Sequence, residues 1–408
     1  MRRTFDIPIH YRSPIIAAIK ALQKERDPGR RSVAPTLLDL GPVRFLIPRH
    51  FGFCYGVENA IEIAYRTLQE NPDRRVFLLS EMIHNPHVNA DLAARGVRFL
   101  MTTSGEQLLP WEKLTPEDVV IVPAFGTTHG IEEQLRERGI DPYRWNTTCP
   151  FVEKVWNRSA TIGARGFTVV VHGKRTHEET RATASHAAAG APVVVVQNME
   201  ETERLAAIIA GAEPVERFAE WFGSACSEGF EPSLHLARIG VVNQTTMLAD
   251  ETQAIADRLR RAMVERYGEE SVREHFADTR DTLCYATNEN QSATLALASA
   301  EADLAIVVGG YNSSNTTHLV EILERTLPTW FVKDAEEIVA QDAIRHFNLH
   351  THAVEVAENW LPNLDRPITV ALTGGASCPD ALVDEVLERI AGFFPDAIPP
   401  AEALERIP

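Results

Sequence analysis

From residue 43 onward the chain alternates between two hydrophobic patterns. Short apolar runs of five or six residues recur at 43–48, 75–80, 119–123, 167–172, 192–197, 239–243, 304–309, 329–333 and 368–372. They are rich in Val, Ile and Leu and nearly continuous, the pattern of strands buried on both faces. Between most of them lie longer amphipathic segments with helical spacing, such as 57–70 and 254–265. Strands alternating with helices predict an α/β fold built on parallel sheets. The nine runs fall in chain order into three groups of three, which predicts three pseudo-equivalent α/β/α lobes over 43–149, 150–283 and 284–408. Residues 211–236, with Trp221 and Cys226, read as a polar insertion in the second lobe.

Residues 1–42 stand apart as an N-terminal extension. Eight basic residues (Arg2, Arg3, Arg12, Lys20, Lys24, Arg26, Arg30, Arg31) face three acidic ones within 1–31. An amphipathic stretch at 14–24 puts Ile15, Ile16, Ile19 and Leu22 on one side, which predicts packing on the body or on a second subunit. Its acids and its scarcity of serine disfavour a transit peptide.

Composition narrows the class. An apolar fraction of 44% with 24% charged residues excludes disordered and fibrous chains. No apolar run approaches the roughly 20 residues of a membrane span. With 40 Lys and Arg against 57 Asp and Glu, the net charge of −17 excludes coating nucleic acid or an anionic membrane as the main task. Five scattered cysteines without a signal peptide read as reduced thiols of a cytoplasmic protein.

In parallel α/β sheets ligands bind beyond the carboxyl ends of the strands, so the residues after each run carry the chemistry. There the chain places Gly52, Cys54, His84, Asn85, Gly126, His129, His177, Glu179, Thr245, Asn312–Asn315 and Gly374–Cys378. Glycine, hydroxyl, amide and imidazole groups crowd these positions, which predicts an enzyme with a small-molecule site. Neither G-x-G-x-x-G nor G-x-x-x-x-G-K-[ST] occurs, which disfavours a nucleotide cradle. Asn312-Ser313-Ser314-Asn315 follows a strand and opens a helix, where hydroxyls and backbone N–H groups receive phosphate oxygens. Thr373–Ser377 has the same layout, and a plain N-cap is the simpler reading of either alone. Two such starts, with His84 and His177 at other strand ends, tip the balance towards an anion site.

Cys54, Cys149 and Cys284 each directly precede a predicted helix. A helix N-terminus favours the metal-binding thiolate. No paired C-x₂-C suggests structural zinc, whereas three thiolates suit a [4Fe–4S] cluster with one open iron. Buried packing is the alternative for each cysteine, and is the reading for Cys226 and Cys378.

Eight motifs then match one family in order: Phe51-Gly52-Phe53-Cys54-Tyr55-Gly56-Val57, Ile83-His84-Asn85, Thr148-Cys149-Pro150, His177-Glu178-Glu179, Gln244-Thr245-Thr246, Cys284-Tyr285-Ala286-Thr287, Asn312-Ser313-Ser314-Asn315 and Gly375-Ala376-Ser377. Over about residues 43–390 the chain resembles the IspH/LytB family of 4-hydroxy-3-methylbut-2-enyl diphosphate reductases, the last step of the non-mevalonate isoprenoid pathway. Ala124-Phe125-Gly126, Val155-Trp156, the long N-terminus and the middle insertion resemble the plant and cyanobacterial branch.

The resemblance implies three lobes around a central [4Fe–4S] cluster held by Cys54, Cys149 and Cys284, with one iron open to substrate. It places diphosphate contacts on His84, His177, Ser313, Asn315 and Ser377, with Ser314 beside them. It makes Glu179 the proton-delivering carboxylate and Thr245 the hydroxyl near the substrate alcohol. It further implies a small diphosphate substrate and an electron donor such as ferredoxin or flavodoxin. One departure stands out. Many bacterial members read Ala-His-Gly where this chain has Phe125, so that phosphate contact is lost or moved, with His129 as the candidate replacement. The competing readings are a non-redox [4Fe–4S] enzyme of the hydro-lyase or quinolinate synthase type, and a metal-free α/β protein binding a phosphorylated metabolite.

Overall fold

The computed structural model describes residues 4–29, 32–277, 282–363 and 365–407; Arg2, Arg3, Arg30 and Arg31 of the basic stretch lie outside them. In chain order the strands are β1 (Thr36–Asp39), β2 (Val43–Ile47), β3 (Val76–Leu78), β4 (Arg98–Phe99), β5 (Val119–Ile121), β6 (Thr168–His172), β7 (Val193–Val196), β8 (Ile239–Asn243), β9 (Leu304–Val308), β10 (Thr329–Val332), β11 (Ala343–Asn348), β12 (Ala353–Glu358) and β13 (Ile368–Gly374). The helices used below are α1 (Pro14–Arg26), α2 (Tyr55–Glu70), α3 (Pro86–Ala94), α4 (His129–Glu137), α5 (Pro150–Ala164), α6 (Glu178–Ala188), α7 (Met199–Ala210), α8 (Arg217–Phe222), α9 (Pro232–His235), α10 (Ala249–Tyr267), α11 (Val272–His275), α12 (Tyr285–Ala298), α13 (Ser314–Glu324) and α14 (Asp380–Ala391). The chain divides into two compact units, one of Met1–Glu58, His84–Ala90 and Tyr285–Pro408, the other of Asn59–Ile83 and Asp91–Cys284.

The first unit is built on a five-stranded sheet of order β1-β2-β13-β9-β10. Four strands are parallel, and β1 closes one edge antiparallel to β2. Chain order groups the 43–48 run with the two runs that follow it, and this grouping is corrected here. Strand β2 pairs with β13, from Val43 against Ile368 to Leu46 against Ala371. Parallel pairing is non-local, so a rhythm of apolar runs does not reveal it. Burial explains the choice: Val43, Phe45 and Ile47 share one core with Ile306, Val370 and Leu372. A hairpin, β11 against β12, carries no continuous apolar run to mark it: its apolar residues alternate with polar ones, and Val354 and Val356 are exposed.

The N-terminal extension packs on this unit. Ser13 caps α1, Pro14 fills its first turn, and Ile15, Ile16 and Ile19 enter the core with Val383 and Leu387 of α14. Asp384 accepts from the Ser13 hydroxyl and from the backbone N–H of Ile15 and Ile16, the latter two at 3.2 Å. Lys20 reaches Asp380 at 2.7 Å and the Phe51 carbonyl at 3.0 Å.

The second unit carries two parallel three-stranded sheets, β4-β3-β5 and β7-β6-β8. Residues 211–236 are not the polar insertion that composition suggests. They include α8 and α9 and bury Phe218, Phe222, Ala225 and Leu236 in the core beside Val170, Val194 and Leu259. Cys226 forms an antiparallel bridge to Val194. Two phenylalanines four apart on a short helix make an apolar stripe that the surrounding glutamates hide in a composition count. Among the described residues, no helix is long and apolar enough to cross a membrane.

Asp384 gives a prediction about how the extension is held. Replacing it by Ala strands the first N–H groups of α1 and lowers the unfolding free energy by about 1–3 kcal/mol in urea titrations. Burial pushes the Asp384 carboxyl up to about 6. The folded chain therefore holds a proton that the unfolded chain releases. That contribution is fully present below a pH of about 4 and is lost as pH rises through the folded value. In Asp384→Asn this part of the stability profile between pH 4 and 7 flattens.

Candidate functional site

In the first unit, four polypeptide segments meet. The β2–α2 connection turns at Gly52, whose φ of +75° L side chains rarely adopt, and delivers Cys54 immediately before α2. The Cys54 N–H donates to the Ala376 carbonyl at 3.2 Å, and its own carbonyl accepts from Glu58 at 3.0 Å. Ala376 in turn donates to Asn315 Oδ1 at 2.8 Å. Ser377 Oγ donates to the His84 carbonyl at 3.1 Å and lies 3.4 Å from Ser313 Oγ. Ser313 caps α13, accepting from the Thr316 N–H.

His84, Ser313, Ser314, Asn315 and Ser377 are all buried. The structure thus brings together every residue of this unit to which the sequence assigns a phosphate contact. Two donors in the group, Ser314 Oγ and Asn315 Nδ2, are buried without a hydrogen-bond partner. Buried donors ordinarily have partners, and an anionic ligand oxygen is the acceptor that such a pair suits. Gly310 lies close against the His84 carbonyl and Gly375 against Thr316, so a Cβ at either would push this group apart.

The second unit assembles a different set. After β6 the chain turns, and His177 becomes the N-cap of α6, its Nδ1 accepting from the Glu179 N–H at 3.1 Å. An accepting Nδ1 fixes the neutral tautomer with the proton on Nε2, which makes Nε2–H the donor. Glu179 is 1% exposed. Its Oε1 accepts from the Thr245 N–H at 2.6 Å and its Oε2 from Thr245 Oγ1 at 2.9 Å. The Thr245 carbonyl accepts from the Cys284 N–H at 3.2 Å. Carboxylate, threonine and cysteine therefore form one connected group.

Cys149 is the N-cap of α5 and donates its N–H to the Ala124 carbonyl at 2.9 Å. The next residue, Phe125, sets its ring edge-on against His177, with centroids 5.4 Å apart. All three predicted cysteine ligands thus stand at helix starts and are partly exposed. Burial pushes the Cys54 thiol up, while the backbone N–H groups of Val57 and Gly56 pull it down. Those N–H groups suit a sulfur that carries charge. Burial also pushes Cys226 and Cys378 up, and Cys378 is fully enclosed.

Sequence reasoning missed several positions. Glu178, at the first position of α6 beside Glu179, is buried and accepts from Ser80. Asn243 exchanges bonds with Thr282, accepting at Oδ1 from its N–H at 3.0 Å and donating its own N–H to Thr282 Oγ1 at 2.8 Å. This pair ties the segment that delivers Cys284 to the end of β8, and the polar Asn243-Gln244-Thr245-Thr246 run was its only signal. His129 stands apart from the Glu179 group, at the start of α4 beside Glu132 and His186.

A family model described as LytB protein matches residues 45–391. A 4-hydroxy-3-methylbut-2-enyl diphosphate reductase of Thermosynechococcus vestitus is 42% identical over 351 residues, covering 86% of this chain and 85% of its own. One from Gloeobacter violaceus is 41% identical over 353 residues, covering 86% and 83%. Among solved structures, an (E)-4-hydroxy-3-methyl-but-2-enyl diphosphate reductase, described as the terminal enzyme of the non-mevalonate pathway, matches with a TM-score of 0.50 and 25% identity over 84% of this chain and 96% of that one. The Plasmodium falciparum E-1-hydroxy-2-methyl-but-2-enyl-4-diphosphate reductase shares the fold, with a TM-score of 0.61, 20% identity and coverage of 88% and 95%.

The cap role of His177 can be separated from its imidazole. Asn is among the best N-caps, so His177→Asn keeps the unfolding free energy near the parent, whereas His177→Ala lowers it by about 1 kcal/mol. Urea unfolding of the two variants measures the difference.

Proposed function

The chain belongs to the LytB family, and from that premise we infer that it is a 4-hydroxy-3-methylbut-2-enyl diphosphate reductase. It removes the allylic hydroxyl of its substrate reductively to give isopentenyl and dimethylallyl diphosphate. The balance is two electrons and two protons per substrate, with one proton leaving in water and one added to carbon. The observation that carries the reading is the buried Glu179, held through both oxygens by Thr245 and joined through Thr245 to Cys284.

The family's cofactor is an iron–sulfur centre. For its finer form we propose a [4Fe–4S] cluster with Cys54, Cys149 and Cys284 as ligands and the fourth iron open. The donor set fits, since each cysteine is a partly exposed residue at a helix start, while Cys378 is sealed in the core. When bound, such a cluster supplies electrons one at a time and a Lewis-acidic iron for the alcohol oxygen.

The chain's own residues do the rest. Ser313, Ser314, Asn315, Ser377 and His84 receive the diphosphate. His177 donates to it from Nε2. These are neutral donors, which reconciles an anionic substrate with a chain of charge −17. Thr245 Oγ1 lies between the substrate alcohol and Glu179 Oε2 in the relay, so a proton from the carboxyl passes through the hydroxyl. Phe125 offers no donor, and its ring instead fixes the plane of His177.

The electron donor is of the ferredoxin or flavodoxin class. The Cys54 side of the first unit has a cavity of about 560 Å³ whose lining carries both signs, with Arg12, Lys20, Lys24 and Arg49 beside Glu58, Glu289 and Asp380, and Lys20 paired with Asp380. Family membership disfavours the hydro-lyase and metal-free readings, because both leave the Glu179–Thr245 pair without a task.

Two experiments test the assignment. After anaerobic reconstitution, Ser variants of Cys54, Cys149 or Cys284 each lose bound iron and sulfide, whereas Ser variants of Cys226 or Cys378 keep both. Retention of a full cluster on changing Cys149 rejects the ligand set. In anaerobic assays with a chemical reductant, Glu179→Gln lowers turnover by ~10²-fold or more with its cluster intact. Glu178→Gln stays within a few-fold once corrected for folded protein, since its carboxylate is spent on Ser80. Equal losses in the two variants remove Glu179 from the relay.

A further inference from the structure

His129, which follows the Phe125 departure, belongs to a cluster of its own. Thr128 caps α4, and the His129 N–H donates to Ser185 Oγ of α6 at 3.1 Å, so the start of α4 is tied to α6. The Nδ1 of His129 lies 3.2 Å from Glu132 Oε2. His186 Nε2 lies 3.9 Å from Glu132 Oε1 and 3.1 Å from the Thr127 carbonyl oxygen. Donor atoms of His129, Glu132 and His186 all fall within 4.8 Å of one another. We propose that these three side chains, with the Thr127 carbonyl as fourth donor, bind a divalent transition cation, for which zinc is the best match.

The spacing suits the ion. Tetrahedral zinc at roughly 2.0–2.2 Å from nitrogen and oxygen donors sets those donors about 3.3–3.6 Å apart. His129 and His186 approach different oxygens of Glu132, at 3.2 and 3.9 Å, and His186 lies 3.1 Å from the Thr127 oxygen, so these donors stand near that spacing before an ion draws them together. Two imidazoles and a carboxylate select zinc, copper or nickel over magnesium and calcium, which prefer all-oxygen shells.

The outer support of a ligated site is also in place. Glu132 is 3% exposed, and its Oε2 accepts from Tyr143 Oη at 2.9 Å and from Arg136 Nη2 at 3.3 Å. Oε1 is the oxygen that faces His186. The indole of Trp156 stacks flat on the His186 ring, 3.7 Å between centroids and 9° between planes, and is itself anchored by Nε1 donating to Thr183 Oγ1. Such second contacts orient ligands and strengthen metal binding. His129 is 40% exposed at its side chain, which leaves an entry path. The bound ion clips α4 to α6, the helix whose first turn carries His177 and Glu179.

The test uses the anaerobically reconstituted holoenzyme, freed of loose metal and titrated with Co²⁺. The expected result is one equivalent bound, with the visible bands of nitrogen and oxygen ligation and no thiolate charge-transfer band. His129→Gln and His186→Gln each weaken binding by about tenfold or more at unchanged cluster content. Zn²⁺ raises the unfolding temperature of the parent and not of Glu132→Gln, a near-isosteric change that keeps a readout should a histidine variant fold poorly. No Co²⁺ retained at micromolar concentration overturns the proposal. So does an affinity unchanged from the parent in both histidine variants, or a thiolate band showing that cysteines took the ion.

Discussion

The helix start is the constraint on which the candidate site depends, following a parallel strand at Cys54, His177 and Ser313 and following another helix at Cys149 and Cys284. Each such start leaves its first N–H groups without intrahelical partners, and the residue ahead of it sets how they are met. His177 and Ser313 answer with their side chains, as N-caps. Cys149 occupies the same place before Pro150, and Cys54 and Cys284 directly precede Tyr55 and Tyr285. Stability and chemistry therefore use the same positions. The imidazole that accepts from the Glu179 N–H has its tautomer set by that bond.

Each unit contains a coherent part of the chemistry. In the first, a chain of contacts runs from Cys54 through Ala376 to Asn315, beside Ser377, Ser313 and His84. It offers donors, two of which have no internal acceptor. In the second, Cys284, Thr245 and Glu179 are linked in series, and Asn243 and Thr282 brace the segment that supplies the cysteine. Leaving a carboxylate unpaired in so buried a position is costly, and the two bonds from Thr245 offset that cost. The side chain is thereby held in one orientation, which the proposed proton delivery by its protonated form requires.

Much of this was legible in the sequence, because the signals are local. Continuous Val, Ile and Leu runs gave the strands, and the polar residues after them gave the site. Non-local facts were not legible. Nothing in the 43–48 run says that it pairs with Ile368–Gly374 across more than three hundred residues. The 211–236 segment looked polar because only Phe218, Phe222 and a few neighbours face inward. Glu178 and Glu179 are equivalent letters in the sequence, yet one is spent on Ser80 and the other on Thr245. The departure at Phe125 was visible, but its consequence, a ring against His177, required the fold.

The central claim is that this chain reduces its substrate by passing a proton through Glu179 and Thr245. Single-turnover reduction of 4-hydroxy-3-methylbut-2-enyl diphosphate in D₂O under anaerobic conditions, with the products read by mass spectrometry, tests it most directly. The account predicts isopentenyl and dimethylallyl diphosphate carrying one deuterium on carbon from the parent, and little labelled product from cluster-replete Glu179→Gln in the same time. Equal labelled product from both proteins, or loss of water without reduction, would contradict it.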